Sequence, residues 1–376
     1  MIPSQLGLEI ERLLRRDPAR RGVARQVHEQ GALTSGQLEA AARSLAEQGR
    51  SVGMVTGFCV ASTEGYVAET DGPPGALYLA RALLSLGVEV AIITDHYATP
   101  LLEAGCDLWD MPRGILHQAP FEPGGPDAPS RESNETEHNR ETDAWIDGFL
   151  ASSAGRGLTH LIAIERAGPS HTEASIVAQH AADQHATDRQ STSQHATDET
   201  GSADVLAEFV DSVPAESRNV CHNMRGESIN AHTAKLHRLF EIVAQRDLPI
   251  TTIGIADGGN EIGAGRIPWR VLRRAIAFGP AGRIACRIAT DHLLVAGVSN
   301  WGGYALASML CRLRDRGDVL QTCGTQSLRE LIETLVRETS CVDGVTRRRE
   351  ATVDGLPLET YLQTLHGIRR LCGWED

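Results

Sequence analysis

The sequence predicts a three-layer α/β fold with a largely parallel central sheet and a short helical N-terminal arm. Nearly continuous apolar runs of strand length recur along the chain, which is typical of a sheet buried on both faces. Stretches with helical spacing separate these runs, as in βαβ units with parallel strands. Polar, glycine-rich segments follow several runs, where open α/β sheets bind their ligands. The predicted strands cover residues 51–60, 88–94, 158–164, 250–256 and 292–298.

Length and composition restrict the functional classes. The 376 residues allow one large domain or two ordinary ones, with enough chain for a sizeable core. A formal net charge of -13 argues against a general nucleic-acid binder, which needs a basic footprint. No apolar run is long enough to cross a membrane. We expect a small-molecule substrate, without nucleic acid or membrane as a partner, and the oligomeric state stays open.

Lysine and cysteine usage narrows the chemistry further. Lys235 is the single lysine, which disfavours Schiff-base catalysis and the cofactors that depend on it. The eight cysteines are irregularly spaced without a C-x-x-C pair, so we expect reduced core residues rather than disulfides or a zinc knuckle. The arginines near the N-terminus are mixed with acids, unlike an acid-poor transit peptide. We therefore predict a cytoplasmic location.

Residues 1–50 predict two helices. Apolar residues recur at helical spacing from Leu6 to Leu14 and again from Leu38 to Leu45. Asp17-Pro18 interrupts the first pattern. We interpret this part as an arm packed on a main domain over 51–376, and no chemistry is evident in it.

The next segments predict one βαβ unit with parallel strands. It consists of a strand over 51–61, a helix over 76–86 and a strand over 88–94. Asp71 precedes the helix and could merely cap it, which is the usual function of such an Asp. However, Glu69 lies two residues before it in the stiff segment ETDGPPG, and Asp95 follows the second strand. All three acids are therefore site candidates.

The middle of the chain combines polar segments with one predicted strand. Residues 119–143 predict a surface loop, and residues 142–151 a short helix. The strand over 158–164 ends at Glu165-Arg166. An acid and a base there could form a buried site pair, or they could point to opposite faces, because strand side chains alternate.

Residues 171–203 are polar and repetitive, with the sequence Gln-His-Ala-Thr-Asp at 184–188 and again at 194–198. Such a segment buries too little apolar surface to fold alone. We therefore predict a disordered insertion that is dispensable for folding. Its four histidines could bind a metal adventitiously, but a solvated loop is the favoured interpretation.

The strand over 250–256 leads into the segment DGGNEIGAG. Its glycines permit left-handed backbone and close approach of a ligand. Asp257, Asn260 and Glu261 would then face a pocket; the alternative is a tight turn with solvated carboxylates. The spacing is neither that of a dinucleotide fingerprint nor that of a P-loop.

The C-terminal third continues the alternation of strands and helices. The strand over 292–298 precedes Asn300, Trp301 and two glycines, and Gly-Gly before a helix leaves amide groups free for an anion. The remaining segments are predicted helices over 305–314 and 328–338, the sequences CVDGV and TVDGL at 341–345 and 352–356, and a final helix ending near Arg370.

Taken together, these segments resemble the D-glutamate cyclase C-terminal-domain family. The matching segments run in order from residue 51 onward: ETDGPPGA, AIITD, LIAIERAGPS, NMRGESI, GIADGGNEIGAG, VSNWGGYAL, CVDGV and TVDGL. The resemblance implies a lyase that closes D-glutamate to 5-oxo-D-proline with loss of water. The long segment between ERAGP and NMRG, Cys221-His222 before Asn223, and Ala264 depart from the family pattern.

That reaction defines which side chains the site needs. The α-amine attacks the γ-carboxyl carbon of the same molecule, so orientation can supply much of the catalysis. The amine must lose a proton and the departing oxygen must gain one, which requires acid and base groups with separated pKa values. An arginine suits the α-carboxylate, and an asparagine or glycine amides suit the developing oxyanion.

The candidate residues follow from these needs and from the resemblance. Asp257 and Glu261 are the first candidates for proton transfer, and Arg166 or Arg225 for the α-carboxylate. The catalytic candidates are Asp257, Glu261, Asp71 and Glu165, and the substrate-binding candidates are Glu69, Asp95, Arg166, Asn223, Arg225, Gly258, Gly259, Asn260, Asn300 and Trp301.

Two other functional classes stay open at this point. The same carboxylates would suit a hydrolase or phosphatase-like enzyme dependent on Mg²⁺ or Mn²⁺. A non-catalytic protein that binds a small anion is the third possibility. No cofactor is predicted, and a divalent metal stays an alternative that a chelator would test.

Overall fold

In the computed structural model of the chain, the described residues are 3–29, 34–63, 65–121, 135–188, 199–277 and 279–374. The described helices are α1 Gln5–Leu14, α2 Val23–Glu29, α3 Gln37–Gln48, α4 Pro73–Ser85, α5 Thr99–Leu108, α6 Glu135–Ala151, α7 Glu173–Asp188, α8 Glu199–Ser212, α9 His237–Gln245, α10 Trp269–Ala275, α11 Ala281–Ile284, α12 Ser299–Leu313, α13 Thr325–Glu338 and α14 Leu358–Leu371. The strands are β1 Ser51–Thr56, β2 Cys59–Ser62, β3 Gly65–Ala68, β4 Glu89–Thr94, β5 Leu116–Gln118, β6 His160–Ile164, β7 Thr251–Ala256, β8 His292–Val295, β9 Thr352–Val353 and β10 Leu356–Pro357.

The central sheet has six parallel strands in the order β5-β4-β1-β6-β7-β8. The central strand β1 pairs on both sides, so that Met54 lies between Ile92 of β4 and Ile162 of β6. The predicted α/β class and the five predicted strands in one parallel sheet are therefore confirmed. The edge strand β5 was not predicted, because three residues are too short to show a period.

The first predicted strand, 51–61, is in fact two strands. β1 ends at Thr56, and β2 forms a separate antiparallel hairpin with β3. Between them, Gly57 has a φ of 102°, a left-handed conformation that favours glycine. The apolar run is continuous across this turn, so hydrophobicity alone did not show the break.

Helices cover both faces of the sheet and form the three layers. Successive strand side chains enter opposite cores, as Ile92 and Ile93 of β4 show. One core contains side chains from α1, α3, α4, α5, α12, α13 and α14, and the other contains side chains from α2 and α6 to α11. No helix within the described ranges is both long and apolar enough to span a membrane. All eight cysteines are buried and free of disulfides, as predicted.

The first 50 residues contribute to both cores, α1 and α3 to the first and α2 to the second. Ile10, Leu14 and Leu38 are fully or almost fully buried in the same cluster as α12 and α14. The carboxylate of Glu11 accepts hydrogen bonds from the main-chain N–H groups of Gly36 and Leu38, at 2.9 and 3.0 Å. This contact satisfies donors at the start of α3, which would otherwise lack an intrahelical partner. The helices of the predicted arm are therefore part of both helical layers.

The described part of 171–203 is helical rather than disordered. α7 and α8 occupy most of it, while residues 189–198 lie outside the described part of the chain. Ile176 is buried in the second core. The Gln179 amide donates to the carbonyl oxygens of Gly265 and Ile267 and accepts from Trp269 N–H, at 2.8, 3.0 and 2.9 Å. The prediction overlooked the high helix propensity of alanine and glutamine in this segment.

Candidate active site

A cavity of about 480 Å³ lies at the carboxyl ends of β6 and β7. This is the edge at which open α/β sheets bind ligands. Half of the predicted site residues line it: Glu69, Glu165, Asn223, Arg225, Asp257, Asn260 and Glu261. The other half is not among the lining residues: Asp71, Asp95, Arg166, Gly258, Gly259, Asn300 and Trp301.

Three carboxyl groups from distant parts of the chain meet at this edge. One oxygen from each of Asp71, Glu165 and Asp257 lies within 4.8 Å of the other two, and all three side chains are buried. Asp71 comes from the loop before α4, Glu165 follows β6 and Asp257 follows β7. The structure therefore brings together three of the predicted catalytic candidates, each from a different segment.

At the end of β6, the Glu165 side chain faces the cavity and the Arg166 side chain does not. Glu165 lines the cavity with a φ of 45°, and its buried Oε2 has no hydrogen-bond partner among the described residues. Arg166 points away and forms a buried ion pair with Asp95 at 2.7 Å. It also donates to the carbonyl oxygens of Gly57 and Ala234, at 2.8 and 2.7 Å. The prediction that Arg166 or Asp95 contacts substrate is therefore wrong, and both residues hold the β1, β4 and β6 ends together.

Asp71 and Asn300 connect two helix N-termini. Asp71 accepts from the main-chain N–H groups of Ser299 and Asn300, at 2.9 and 2.8 Å, at the start of α12. The Asn300 side-chain oxygen accepts from Gly72 and Gly75 N–H, at 2.9 and 2.7 Å, at the start of α4. Asp71 therefore caps α12, the partner helix, and not α4 as the sequence suggested. Asn300 is occupied in this exchange, which corrects its predicted role as a substrate donor.

The expected anion site at Gly302 and Gly303 is also absent. A Cβ at Gly303 would lie 2.8 Å from the Gly75 carbonyl oxygen, and one at Gly302 would collide with the Ile255 side chain of β7. The two glycines therefore permit close packing of α12 against α4 and against the sheet. Trp301 is 2% exposed and packs on Tyr361, with ring centroids 5.9 Å apart. It is therefore a core residue rather than a substrate contact.

The glycine loop after β7 is organised by Glu261. Its carboxylate accepts from the N–H groups of Gly258 and Gly259, at 2.9 and 2.8 Å. These amides are therefore not free to stabilise a substrate oxyanion, which corrects their predicted binding role. The Asn260 Nδ2 donates to the His222 carbonyl oxygen at 2.8 Å, while its buried Oδ1 has no partner among the described residues.

The sequence analysis missed three charged residues that line the cavity, Arg21, Arg347 and Asp354. Arg21, from the segment between α1 and α2, forms ion pairs with Asp257 and Asp354. Arg347 lines the cavity from the loop before β9. Arg21 gave no signal because it lies among several arginines, and the first 50 residues showed no chemistry.

The sequence around Asp354 did indicate a hairpin turn, although not that the turn lies at the cavity. It precedes Gly355 in the turn between β9 and β10, where the two residues have φ values of 55° and 73°. Asp-Gly with positive φ at both positions is the preferred two-residue hairpin turn. The TVDGL segment was noted, but its neighbours in the fold could not be inferred from it.

Burial and mutual repulsion raise the pKa values of the carboxyl groups in this site. Burial raises the pKa of Asp257 to about 6, although Arg21 opposes the effect. It raises the pKa of Asp354 to about 7, again against Arg21. The pKa values of Glu69, Asp71 and Glu165 lie well above their usual range, mainly because the groups are buried and also because neighbouring carboxylates repel their negative charge. The site can therefore hold ionised and protonated carboxyl groups side by side near neutral pH.

The group of Asp71, Glu165 and Asp257 could also hold a divalent cation. It supplies only oxygen ligands, which suit Mg²⁺ and Mn²⁺. The unpartnered Oε2 of Glu165 fits either use, because it is free to bind a cation or to exchange a proton with a ligand.

Comparison with known proteins shows the family of the chain. A family model described as "D-glutamate cyclase-like, C-terminal" matches residues 10–189 and 170–369. The human protein named "D-glutamate cyclase, mitochondrial" is 30% identical over 311 residues, which is 82% of this chain and 39% of that protein. The chain therefore spans about two fifths of the length of the curated relative it matches. The family match begins before Arg21, so it includes this cavity residue, which precedes the segments that carried the resemblance.

Proposed function

Because the chain belongs to the D-glutamate cyclase-like C-terminal family, we propose that it is a lyase that converts D-glutamate to 5-oxo-D-proline and water. The observation that supports the proposal beyond family membership is the cavity itself. Buried carboxyl groups with raised pKa values converge there with arginine side chains. A volume of about 480 Å³ is within the range of small-molecule sites.

The site can supply both proton transfers of the cyclisation. Asp257 accepts a proton from the α-ammonium group, which frees the nitrogen lone pair to attack the γ-carboxyl carbon. The attack forms the C–N bond, and the nitrogen passes a second proton to a γ-carboxylate oxygen, which becomes a hydroxyl group. Protonated Glu165 donates to this hydroxyl group, so that the C–O bond breaks and water leaves. Return of the first proton from Asp257 to Glu165 restores the starting state of the site. The opposite roles fit the two environments, because Arg21 favours the ionised form of Asp257 whereas Glu165 has neighbouring carboxylates.

Glu261 has a supporting role in this scheme. Its two bonds to Gly258 and Gly259 N–H fix the loop that carries Asp257. Since the reaction is intramolecular, holding the amine and the γ-carboxyl group in reach of one another accounts for much of the expected acceleration.

The decisive experiment is incubation of the purified protein with D- and L-glutamate and chiral detection of 5-oxoproline. We expect 5-oxo-D-proline from D-glutamate, at a rate well above that in heat-inactivated protein. Failure to form it under any metal condition would contradict the proposal. Binding of D-glutamate without product would favour the non-catalytic alternative.

A metal-dependent hydrolase is the second candidate, supported by the arrangement of Asp71, Glu165 and Asp257. The same purified protein would be treated with a chelator, then supplied with Mg²⁺ or Mn²⁺ and a panel of phosphate esters. Ester hydrolysis that depends on added metal, without cyclisation of D-glutamate, would favour this candidate. A cytoplasmic location stays a prediction, which fractionation of the source cells would test.

A further inference from the structure

Two arginine side chains in the cavity wall lack a counter-ion. Arg225 and Arg347 both line the cavity, and neither forms a side-chain hydrogen bond or ion pair with the described residues. Arg347 is half-buried, and its Nε is inaccessible to solvent. The third cavity arginine, Arg21, differs because it pairs with Asp257 and Asp354. Arg225 is exposed, whereas the Arg347 Nε is a buried donor without a partner among the described residues, which is costly, so that a ligand that pairs with it gains affinity.

The loop that carries Arg347 is held in place by Asp343. The Asp343 carboxylate accepts from Val345 and Thr346 N–H, each at 2.8 Å. It also accepts from the Thr352 hydroxyl and Gly355 N–H, each at 2.7 Å. Arg347 N–H donates to the Asp343 carbonyl oxygen at 2.8 Å. The Arg347 guanidinium therefore projects from a well-supported loop, as a preorganised binding group requires.

The loop that carries Arg225 has an equivalent support. The Asn223 side-chain oxygen accepts from Arg225 and Glu227 N–H, at 2.9 and 3.1 Å. This is the local turn that asparagine side chains commonly form. Asn223 thus shapes the loop, which is a positioning role rather than the predicted donation to substrate.

The acidic and basic groups of the cavity wall differ in their exposure to solvent. The lining carboxyl groups of Glu165 and Asp257 are buried, whereas Arg225 is exposed and Arg347 is half-buried, so the arginines are the lining groups more accessible to solvent. Phe58 is among the apolar residues that line the wall. This pattern fits a small amino acid whose ammonium group is directed inward, whose α-carboxylate is directed outward and whose side-chain methylene groups lie against the apolar wall.

We infer that Arg225 and Arg347 together bind the α-carboxylate of an amino-acid substrate, while its ammonium group points to the buried acids. The inference rests on the proposed function and names the anchor that the buried Arg166 cannot provide. Arginine suits this role because its planar fork binds a carboxylate through two parallel hydrogen bonds. Carboxylate, ammonium and side chain then contact three separate parts of the cavity, which distinguishes a D- from an L-amino acid.

The test compares ligands that differ at the α-carboxylate. D-Isoglutamine carries a neutral amide in place of the α-carboxylate of D-glutamate and keeps the amine and the γ-carboxylate. Calorimetry with wild-type protein should show tighter binding of D-glutamate by about tenfold or more, the scale of hydrogen bonds to a charged group. Arg347→Gln and Arg225→Gln should each reduce this preference, chiefly by weakening D-glutamate binding. Arg348→Gln, an exposed neighbour outside the cavity lining, is the matched control.

Kinetics give a second readout. If the anchor binds substrate and transition state equally, Arg347→Gln should raise KM about tenfold while kcat changes little. Cyclisation with an undiminished ligand preference in both glutamine variants would overturn the inference and leave the proposed function intact. Loss of the preference in a protein that binds D-glutamate without cyclising it would support the inference and refute the function. Absence of D-glutamate binding would overturn the inference.

Discussion

Arg21 forms an ion pair with Asp257 inside the cavity, although one residue lies near the start of the chain and the other follows β7. The two side chains are 13% and 1% exposed, so the pair is screened little by solvent. Arg21 also pairs with Asp354 in the β9–β10 turn. One guanidinium thus joins three segments and partly offsets the negative charge of the surrounding carboxyl groups.

The pair should set the pH dependence of turnover. With Asp257 as the base, kcat/KM for D-glutamate should rise with pH through about 6, the pKa to which burial raises this group. Arg21→Gln removes the positive charge that lowers the pKa of Asp257, so the pH at which kcat/KM rises should move upward. Arg20→Gln, at an exposed neighbouring position, is the control. Profiles that coincide for wild-type and Arg21→Gln proteins would exclude this role of Arg21.

Asp257→Asn should reduce turnover by about 10² to 10⁴, the usual contribution of a general base. The substitution preserves the shape of the side chain and removes its charge. Turnover is measured as 5-oxoproline formation, and folding by circular dichroism and thermal melting. Asp211→Asn, at an exposed position on α8, should be as active as the wild type. Near-native cyclisation by a folded Asp257→Asn protein would eliminate Asp257 as the base.

Glu165→Gln should remove activity and change the pH dependence of stability. Burial and neighbouring carboxylates raise the pKa of Glu165 well above its usual range. Between the unfolded and folded pKa values the folded protein binds more protons, so this group's effect on stability becomes less favourable as pH rises. The variant should therefore lose less stability than the wild type from pH 5 to 8 in thermal melts. Glu216→Gln, at an exposed position, should follow the wild type.

Asn300→Ala should destabilise the fold. The Asn300 side chain accepts from Gly72 and Gly75 N–H and donates to the Thr70 carbonyl oxygen at 3.0 Å. Removing it leaves buried polar groups unpaired, at a cost of about 1–3 kcal/mol for each. Denaturant titration should show the loss in the free energy of unfolding. Gln363→Ala, exposed on α14, should have little effect, and an equally small effect at Asn300 would disprove the capping argument.

Gln179→Ala should also destabilise the protein, because α7 is anchored to the glycine loop through this side chain. Its amide contacts Gly265, Ile267 and Trp269. We expect a loss of about 1–3 kcal/mol, the cost of leaving buried polar groups unsatisfied. Thermal melting measures it. An unchanged melting temperature would restore the interpretation that this part of 171–203 is dispensable.

The sequence alone determined the α/β class, the five main strands and several of the acids at their carboxyl ends. These features depend on local patterns: apolar runs report burial on both sheet faces, and parallel topology brings strand ends to one edge. The sequence also determined that Glu165 and Arg166 follow a strand, because the end of an apolar run is enough to locate the end of a buried strand.

Only the tertiary structure decided which of these residues meet. It placed Glu165 in the cavity and Arg166 in a buried pair with Asp95. It assigned the Gly258 amide to Glu261 and brought Arg21 to Asp257. Contacts of this kind join residues far apart in the chain, or depend on which way a side chain points. They are selected by packing and by the cost of an unpaired buried charge, which no local spacing encodes.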